Sequence, residues 1–283
     1  MPFLKEAEPE RDVMLPVMAG VSRIVAPNAS VMTYHGTNTF LIEAPEGIVV
    51  LDPGPEDLPA HVEAILAATD GRVAKILISH THHDHLGAAP ALKAATGAPI
   101  AAFHRSQEPS FTPDIPLRDG DAIAGMTAIH MPGHASDHMC FARAGGVLFT
   151  GDHVMAWSST VVGPPHGDMT AYCDSLRRLL TRDDTVYLPA HGPALPDPHP
   201  FVRDLLASRM RREEAILRVM REGPIASTDL VQRLYGRKDP RLHRAASRIV
   251  MAHLIKLEAE LRVVQEADDV WRTAPLPQRK TSH

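Results

Sequence analysis

The sequence predicts an α/β layered domain followed by a small helical unit that ends in a β-hairpin. Between about residues 21 and 190, short β-branched apolar runs alternate with stretches of helical spacing, and turn residues separate them. The last ~80 residues instead show three helical patterns and two short strand patterns. The change in pattern predicts two domains, at residues 1–199 and 200–283.

Apolar runs and glycine stops define the elements of the first domain. Helices are predicted at 57–71 and 86–97, ending at Gly71 and Gly97. The predicted buried strands are GIVVLDPG (47–54), VAKILISH (73–80), MTAIHMPGH (126–134), GGVLFTGDH (145–153) and DTVYLPAHG (184–192).

These five strand patterns each finish in an acidic residue or a histidine, at Asp52, His80, His134, Asp152 and His191. Turns often contain Asp and His, but five such endings are not explained by that tendency alone. Strand ends can converge on one edge of a sheet, and ligand sites in α/β sheets lie at such edges. We therefore expect these side chains to meet.

The second domain has the outline of a winged helix. The segment GPALPDPHP (192–200) is proline-rich and predicts a linker or rigid turn. Helices are predicted at 201–223, at 227–236 with Ser227 and Thr228 as caps, and at 240–261, and a hairpin at 262–274. Three helices and a hairpin form a winged helix-turn-helix.

Composition and charge limit the function classes. The charged N-terminus does not resemble a signal peptide, and no apolar run reaches the ~18–20 residues of a membrane span. Two cysteines cannot form a disulfide framework. A cytoplasmic protein without membrane contact is therefore expected. Residues 200–283 contain 17 Lys and Arg against 11 Asp and Glu, a net +6, whereas the remainder has 12 against 23, a net −11. This asymmetry indicates two segments with different roles.

The segment ISHTHHDHLG (78–87) contains the pattern H-x-H-x-D-H, formed by His80, His82, Asp84 and His85. Imidazole suits zinc, iron and copper, and a carboxylate adds charge that can hold a second cation. A histidine-rich loop without metal is the alternative. Together with the three later strand-end residues the pattern offers seven candidate ligands, too many for one ion and enough for two: His80, His82, Asp84, His85, His134, Asp152 and His191.

At these residues the chain resembles the metallo-β-lactamase superfamily, and TNTFLIE (37–43) and LDPG (51–54) resemble two further landmarks of that family. The motifs PGHASDHM, TGDH and YLPAHGP with the terminal winged-helix pattern resemble its β-lactamase-like protein 2 branch. The resemblance implies an αββα sandwich followed by a small winged-helix-like domain.

The resemblance also implies a dinuclear site. The first metal would be held by His80, His82 and His134, and the second by Asp84, His85 and His191, with Asp152 bridging. Zinc is expected, with iron or manganese as alternatives. Asp84 would also be a proton acceptor. Outside the ligands, Asp52 is expected to hydrogen-bond a ligand histidine, and His138 and His166 are candidates for substrate contact.

The expected reaction is hydrolysis of a small ester or thioester by a metal-bridging hydroxide, because metal binding lowers the pKa of water from 15.7 to about 7. No cysteine occupies a ligand position, which disfavours antibiotic hydrolysis. The alternative is endonucleolytic cleavage of single-stranded RNA, which mammalian members of the resembled branch perform. Arg241, Arg244, Arg248 and Lys256 could attract phosphates, although they form no dense patch. A third candidate function is a binding module whose metal site is vestigial. As a partner, a second copy of the chain in a homodimer is also considered.

Overall fold

The computed structural model describes residues 2–236, 239 and 242–275. Two sheets form its larger part, and each contains the apolar runs that the sequence marks as strands. The first sheet runs in chain order through β1 Met14–Met18, β2 Val21–Val25, β3 Asn38–Ala44, β4 Gly47–Leu51, β5 Val73–Leu77, β6 Ile100–Phe103 and β7 Ile115–Leu117. The second has the order β13 Leu195–Pro196, β12 Val186–Pro189, β11 Val147–Gly151, β10 Met139–Arg143, β9 Met126–His130 and β8 Ala122–Ile123.

Helices cover the outer faces of both sheets. They are α1 Pro59–Ala68, α3 Ala89–Thr96, α4 Met169–Leu179 and α5 Pro198–Met220, and a single helical turn, α2 His83–Leu86, precedes α3. One apolar cluster lies between the sheets around Phe40, Phe141 and Phe149. Two others join α1 and α3 to the first sheet and α4 and α5 to the second. The four layers confirm the predicted αββα sandwich.

The C-terminal elements form a winged helix, as predicted. They are β14 Ile225–Ala226, α6 Ser227–Tyr235, α7 His243–Ala259, β15 Val263–Ala267 and β16 Val270–Thr273. The hairpin β15–β16 is extended by β14 to three strands. Trp271 and Leu254 lie in an apolar core that joins these strands to α6 and α7.

One local prediction for this region was wrong, and one pair of alternatives is resolved. Ser227 is the first residue of α6, and the N-cap is Ala226 without a side-chain hydrogen bond, because the preceding residues pair as β14. Of the two alternatives predicted for the proline-rich segment, a linker or a rigid turn, the structure shows the turn, since Leu195 pairs antiparallel with Tyr187 of β12 and α5 begins at Pro198.

The helix α5 connects the two parts of the chain. Its first half places Phe201, Val202 and Leu205 in the core of the sandwich, and its second half places Ile216 and Met220 in the core of the winged helix. The boundary at 199/200 falls near its start, and the division into two domains at that point stays a prediction. Within the described residues no helix has the length and apolar character needed to cross a bilayer; a cytoplasmic location stays a prediction.

Candidate metal centre

Strand direction brings the five strand-end residues to one edge of the sandwich. In the first sheet β4 and β5 are parallel, so Asp52 and His80 follow them on the same side. In the second sheet β9 and β11 are both antiparallel to β10, and β12 is parallel to β11. His134, Asp152 and His191 therefore leave that sheet in one direction.

Three imidazoles converge in a first ligand set. His80 Nε2 lies 2.8 Å from His82 Nδ1, and His134 Nε2 lies 3.0 Å from the same Nδ1 atom. One nitrogen from each ring lies within 4.8 Å of the others. This spacing can place all three nitrogens on one cation.

A second set lies beside it, on α2 and the end of β12. Asp84 Oδ2 is 3.2 Å from His191 Nε2 and 3.6 Å from His85 Nε2. Asp152 stands between the sets: its Oδ1 is 3.3 Å from His191 Nε2 and 3.7 Å from His85 Nε2, while its Oδ2 is 3.6 Å from His134 Nε2. The two oxygens of one carboxylate thus face different ligand sets.

Backbone carbonyls fix two of the ligand rings from outside. His134 Nδ1 donates to the Val161 carbonyl at 2.7 Å, and His191 Nδ1 donates to the Gly36 carbonyl at 3.2 Å. A carbonyl can only accept, so each Nδ1 carries the proton and each Nε2 turns a lone pair toward the cluster.

Asp52 fixes one ring from each set. Its Oδ2 accepts from His85 Nδ1 at 2.9 Å and from Ser79 Oγ at 2.7 Å, and its Oδ1 accepts from Ser79 N at 2.7 Å. Ser79 Oγ has donated its only proton, so it accepts from His80 Nδ1 at 3.0 Å. The buried carboxylate therefore lies outside the ligand ring and orients both His80 and His85.

Buried atoms without partners show that the residues fit a metal. His85 Nε2, Asp152 Oδ1 and His191 Nε2 are buried, face one another, and have no hydrogen-bond partner among the described residues. Such orphaned atoms are rare in folded proteins and call for an ion or another group between them. Ligand atoms around a tetrahedral zinc are roughly 3.3 Å apart, close to the separations found here.

The charges of the two sets differ. Burial lowers the pKa of His80 well below its usual range, and neighbouring imidazoles lower it further. Burial alone would lower the pKa of His85, but Asp84 and Asp152 outweigh it and raise that pKa well above its usual value. Burial alone would raise the pKa of Asp152, but His191 and His85 hold it well below its usual range. The first set is neutral, whereas the second is rich in carboxylate charge.

The outer histidine candidates lie in different surroundings. His138 is buried, and its Nε2 accepts from Asp152 N at 3.1 Å, so it supports the backbone of Asp152. Gly151 makes this approach possible, because a Cβ there would lie 2.7 Å from His138 Nε2. His166 is exposed on its loop and does not line the cavity described below.

A loop at residues 155–163 shapes the space above the cluster. Thr160 Oγ1 donates to the Asp152 carbonyl at 2.7 Å, and the Thr160 carbonyl accepts from Arg209 Nη2 at 2.6 Å. The Gly163 carbonyl accepts from Arg248 Nη2 at 3.3 Å. The loop is thus held by the metal-site residues on one side and by α5 and α7 on the other.

A cavity of about 510 Å³ opens on the cluster. Asp84, His134 and Asp152 line one end, whereas Trp157 and Ile249 belong to its largely apolar walls. The sequence did not identify Ser79, Thr160 or the cavity walls as functional. Ser79 is adjacent to the motif, but nothing in the pattern marks α7 as a neighbour of the strand ends.

Two family profiles cover most of the chain. The metallo-beta-lactamase superfamily matches residues 32–191, and the beta-lactamase associated winged helix domain matches residues 226–271. The beta-lactamase-like protein 2 homolog of Drosophila melanogaster is 31% identical over 277 residues, covering 89% of this chain and 92% of that protein. An atrochrysone carboxyl ACP thioesterase of Aspergillus chevalieri is 30% identical over 263 residues, covering 87% of this chain and 83% of that enzyme.

Solved structures show the same architecture. A beta-lactamase domain protein from Burkholderia ambifaria superposes with a TM-score of 0.80 at 22% identity, over 95% of this chain and 96% of that chain. A second protein, solved in a di-iron-bound form, superposes with a TM-score of 0.53 at 26% identity, over 63% of this chain and 96% of that chain. Sequence, fold and the converging histidines agree: the chain belongs to the metallo-beta-lactamase superfamily and carries the winged-helix domain associated with it.

Proposed function

We propose that the protein is a dinuclear-metal hydrolase that cleaves a thioester, or a related ester, to a carboxylic acid and a thiol or alcohol. One observation carries this proposal: the two oxygens of Asp152 face different sets of ligand atoms, which adjoin at His80 and His85. A single ion would leave one of these sets without a cation. The first ion would be held by His80, His82 and His134, and the second by Asp84, His85 and His191, with Asp152 shared.

The bound ions would lower the pKa of a shared water and polarise the substrate carbonyl. Zinc is the metal expected from the histidine-rich ligand set, and iron or manganese are alternatives. The chain contributes the rest. Asp84 lines the cavity beside the ligands and is placed to accept the proton that the attacking water loses. Burial would raise its pKa, but His85 and His191 hold it below its usual range, so its carboxylate is ionised at neutral pH.

A thioester is favoured by the relative and by the shape of the site. The relative from Aspergillus chevalieri is named a thioesterase acting on an acyl carrier protein. The cavity beside the ligands has apolar walls that include Met155, Trp157 and Val161. Such walls bind the hydrocarbon part of an acyl group and exclude bulk water from the reacting carbonyl.

Metal-dependent cleavage of single-stranded RNA is the alternative function that the sequence predicts. A phosphate backbone needs several cations along its path. Arg248 is the only lysine or arginine lining the cavity among the described residues. Lys256 is engaged by Glu213 at 3.0 Å and Glu260 at 2.6 Å, and Arg241 lies outside the described part of the chain. The geometry therefore gives the ester and thioester proposal the stronger support.

The test compares substrate classes on one metal-loaded preparation. Acyl N-acetylcysteamine thioesters, matched oxygen esters and a labelled single-stranded RNA are assayed before and after chelation, and again after zinc is restored. We expect thioester hydrolysis that chelation abolishes and zinc restores. An Asp152→Ala variant should lose it, while an Asp184→Asn variant at the opposite edge of the sheet keeps it. Metal-dependent RNA cleavage without ester or thioester hydrolysis would overturn the proposal.

A further inference from the structure

The wall of the cavity opposite the metal ligands is built by the winged-helix domain. Ala246, Arg248 and Ile249 of α7 line it, together with Tyr235 of α6. The sandwich provides the facing wall, which includes Trp157. The space in front of the ligands is therefore shared by both parts of the chain, and a substrate in it would contact α7.

This cavity is too large for a short acyl group alone. Its volume of about 510 Å³ lies within the roughly 300–1,000 Å³ that accommodate ligands of drug size. Val31 and Met32 also line it and are 39% and 45% exposed. Exposed apolar side chains at the mouth of an apolar cavity are typical of a surface that a hydrophobic ligand covers.

One charged group interrupts the apolar wall. Arg248 Nη2 donates to the Gly163 carbonyl at 3.3 Å, which leaves most of its five N–H donors free. No carboxylate lies within ion-pair distance of Arg248 among the residues that the structure describes. An unpaired guanidinium presents a planar donor pair that matches a carboxylate or a phosphate.

The position of Arg248 is fixed by close contact of the helix with the loop. A Cβ on Gly163 would lie 2.6 Å from Arg248 Cβ and 2.8 Å from the Arg248 carbonyl oxygen. Only a glycine permits this approach of the loop to α7. The backbone and Cβ of Arg248 are thereby placed at the cavity wall.

We propose that the cavity binds an acyl substrate with an apolar body and one anionic group, and that Arg248 pairs with that group. This inference rests on the proposed function and names its substrate class. The anionic group is a carboxylate or a phosphate, and it has two sources: the acyl part itself, or the thiol part that leaves. Arg248 is then a specificity-determining residue supplied by the winged-helix domain.

The experiment uses matched thioesters on the full metal-loaded chain. In the first arm, an N-acetylcysteamine thioester with a terminal carboxylate on its acyl chain is compared with the same thioester ending in a methyl group. In the second arm, one neutral acyl group is carried by coenzyme A or by N-acetylcysteamine. The ratio of kcat/KM values within each pair is measured for the native chain, Arg248→Met and Arg248→Lys.

We expect the native chain to prefer the anionic member of one pair, and the preferred pair identifies the source of the charge. The preference should fall about two- to fivefold in Arg248→Met, mainly through KM, because one exposed ion pair is lost. Arg248→Lys should restore part of it. Arg244→Met is the matched control, since Arg244 is exposed on the same helix and does not line the cavity; its ratio should stay native.

Binding separates this inference from the proposed function. Ketone analogues, in which a methylene replaces the thioester sulfur, are titrated by calorimetry in both arms. Tighter binding of an anionic analogue that is lost in Arg248→Met supports the inference even if no thioester is turned over. Equal binding of the charged and neutral analogues in both arms, or a preference unchanged in Arg248→Met, overturns it.

Discussion

Replacing Asp52 with asparagine changes the residue that links the two ligand sets. The carboxylate is 1% exposed and accepts from Ser79 N, Ser79 Oγ and His85 Nδ1 at 2.7, 2.7 and 2.9 Å. Asparagine keeps the shape and tolerates the φ of 53° at this position. It offers one acceptor oxygen instead of two, so at least one buried donor loses its partner. That loss costs about 1–3 kcal/mol of unfolding free energy.

The same change should weaken metal binding unequally. His85 loses the carboxylate that fixes its tautomer, and loss of such an outer partner lowers metal affinity about 10–100-fold. His80 is affected only through Ser79 Oγ. We therefore expect the ion held by Asp84, His85 and His191 to weaken by that factor and the other ion by less.

Two measurements check this expectation. Competition with a chromophoric chelator gives the two metal affinities, and urea unfolding of the metal-free chain gives the stability. Asp184→Asn is the control, because Asp184 is also buried, binds Arg182 at 2.6 and 2.7 Å, and precedes β12 at the opposite edge. It should lose stability and keep both affinities. A destabilised Asp52→Asn variant that binds both ions as the native chain does would show that Asp52 does not orient His85 for metal binding.

Three further predictions concern the loop and the ligands. Gly163→Ala places a methyl group 2.6 Å from Arg248 Cβ, so it should push α7 away from the loop. Both the thermal unfolding midpoint and kcat/KM should fall, and a variant with the native midpoint and native kcat/KM would contradict the contact. Thr160→Val removes hydrogen bonds of 2.7 and 3.1 Å to two backbone carbonyls and should cost about 1–3 kcal/mol in urea unfolding; no change would count against them. Burial alone would lower the pKa values of His85 and His191, but the neighbouring carboxylates raise both. Protons therefore compete with the metal for these two imidazoles as the pH falls, and the metal affinity of the second set should drop more steeply than that of the first between about pH 8 and pH 6. Equal slopes in a chelator titration would contradict this.

The convergence of the candidate ligands could be predicted because it depends on strand direction. Apolar runs with β-branched residues mark β4, β5, β9, β11 and β12, and each is followed by a turn that carries an acidic residue or a histidine. Parallel neighbours place such turns at the same edge. Short-range sequence pattern therefore contains most of the information needed to place Asp52, His80, His134, Asp152 and His191.

The walls of the cavity could not be predicted in this way. Arg248 comes more than 90 residues after Asp152 in the sequence, and it reaches the site only because α5 connects the two cores and Gly163 admits α7. The amphipathic pattern of α7 shows which face is buried but not what lies against it. The wrong assignment of Ser227 and Thr228 as caps has a similar cause, since pairing of β14 with β16 sets where α6 begins.

Anomalous scattering from crystals of the zinc-loaded protein, measured at the zinc absorption edge, would show directly whether the site holds two ions. We expect two peaks, one in contact with His80, His82 and His134, the other with Asp84, His85 and His191, and Asp152 touching both. A single peak at full zinc occupancy, or peaks that bypass Asp152, would contradict this expectation.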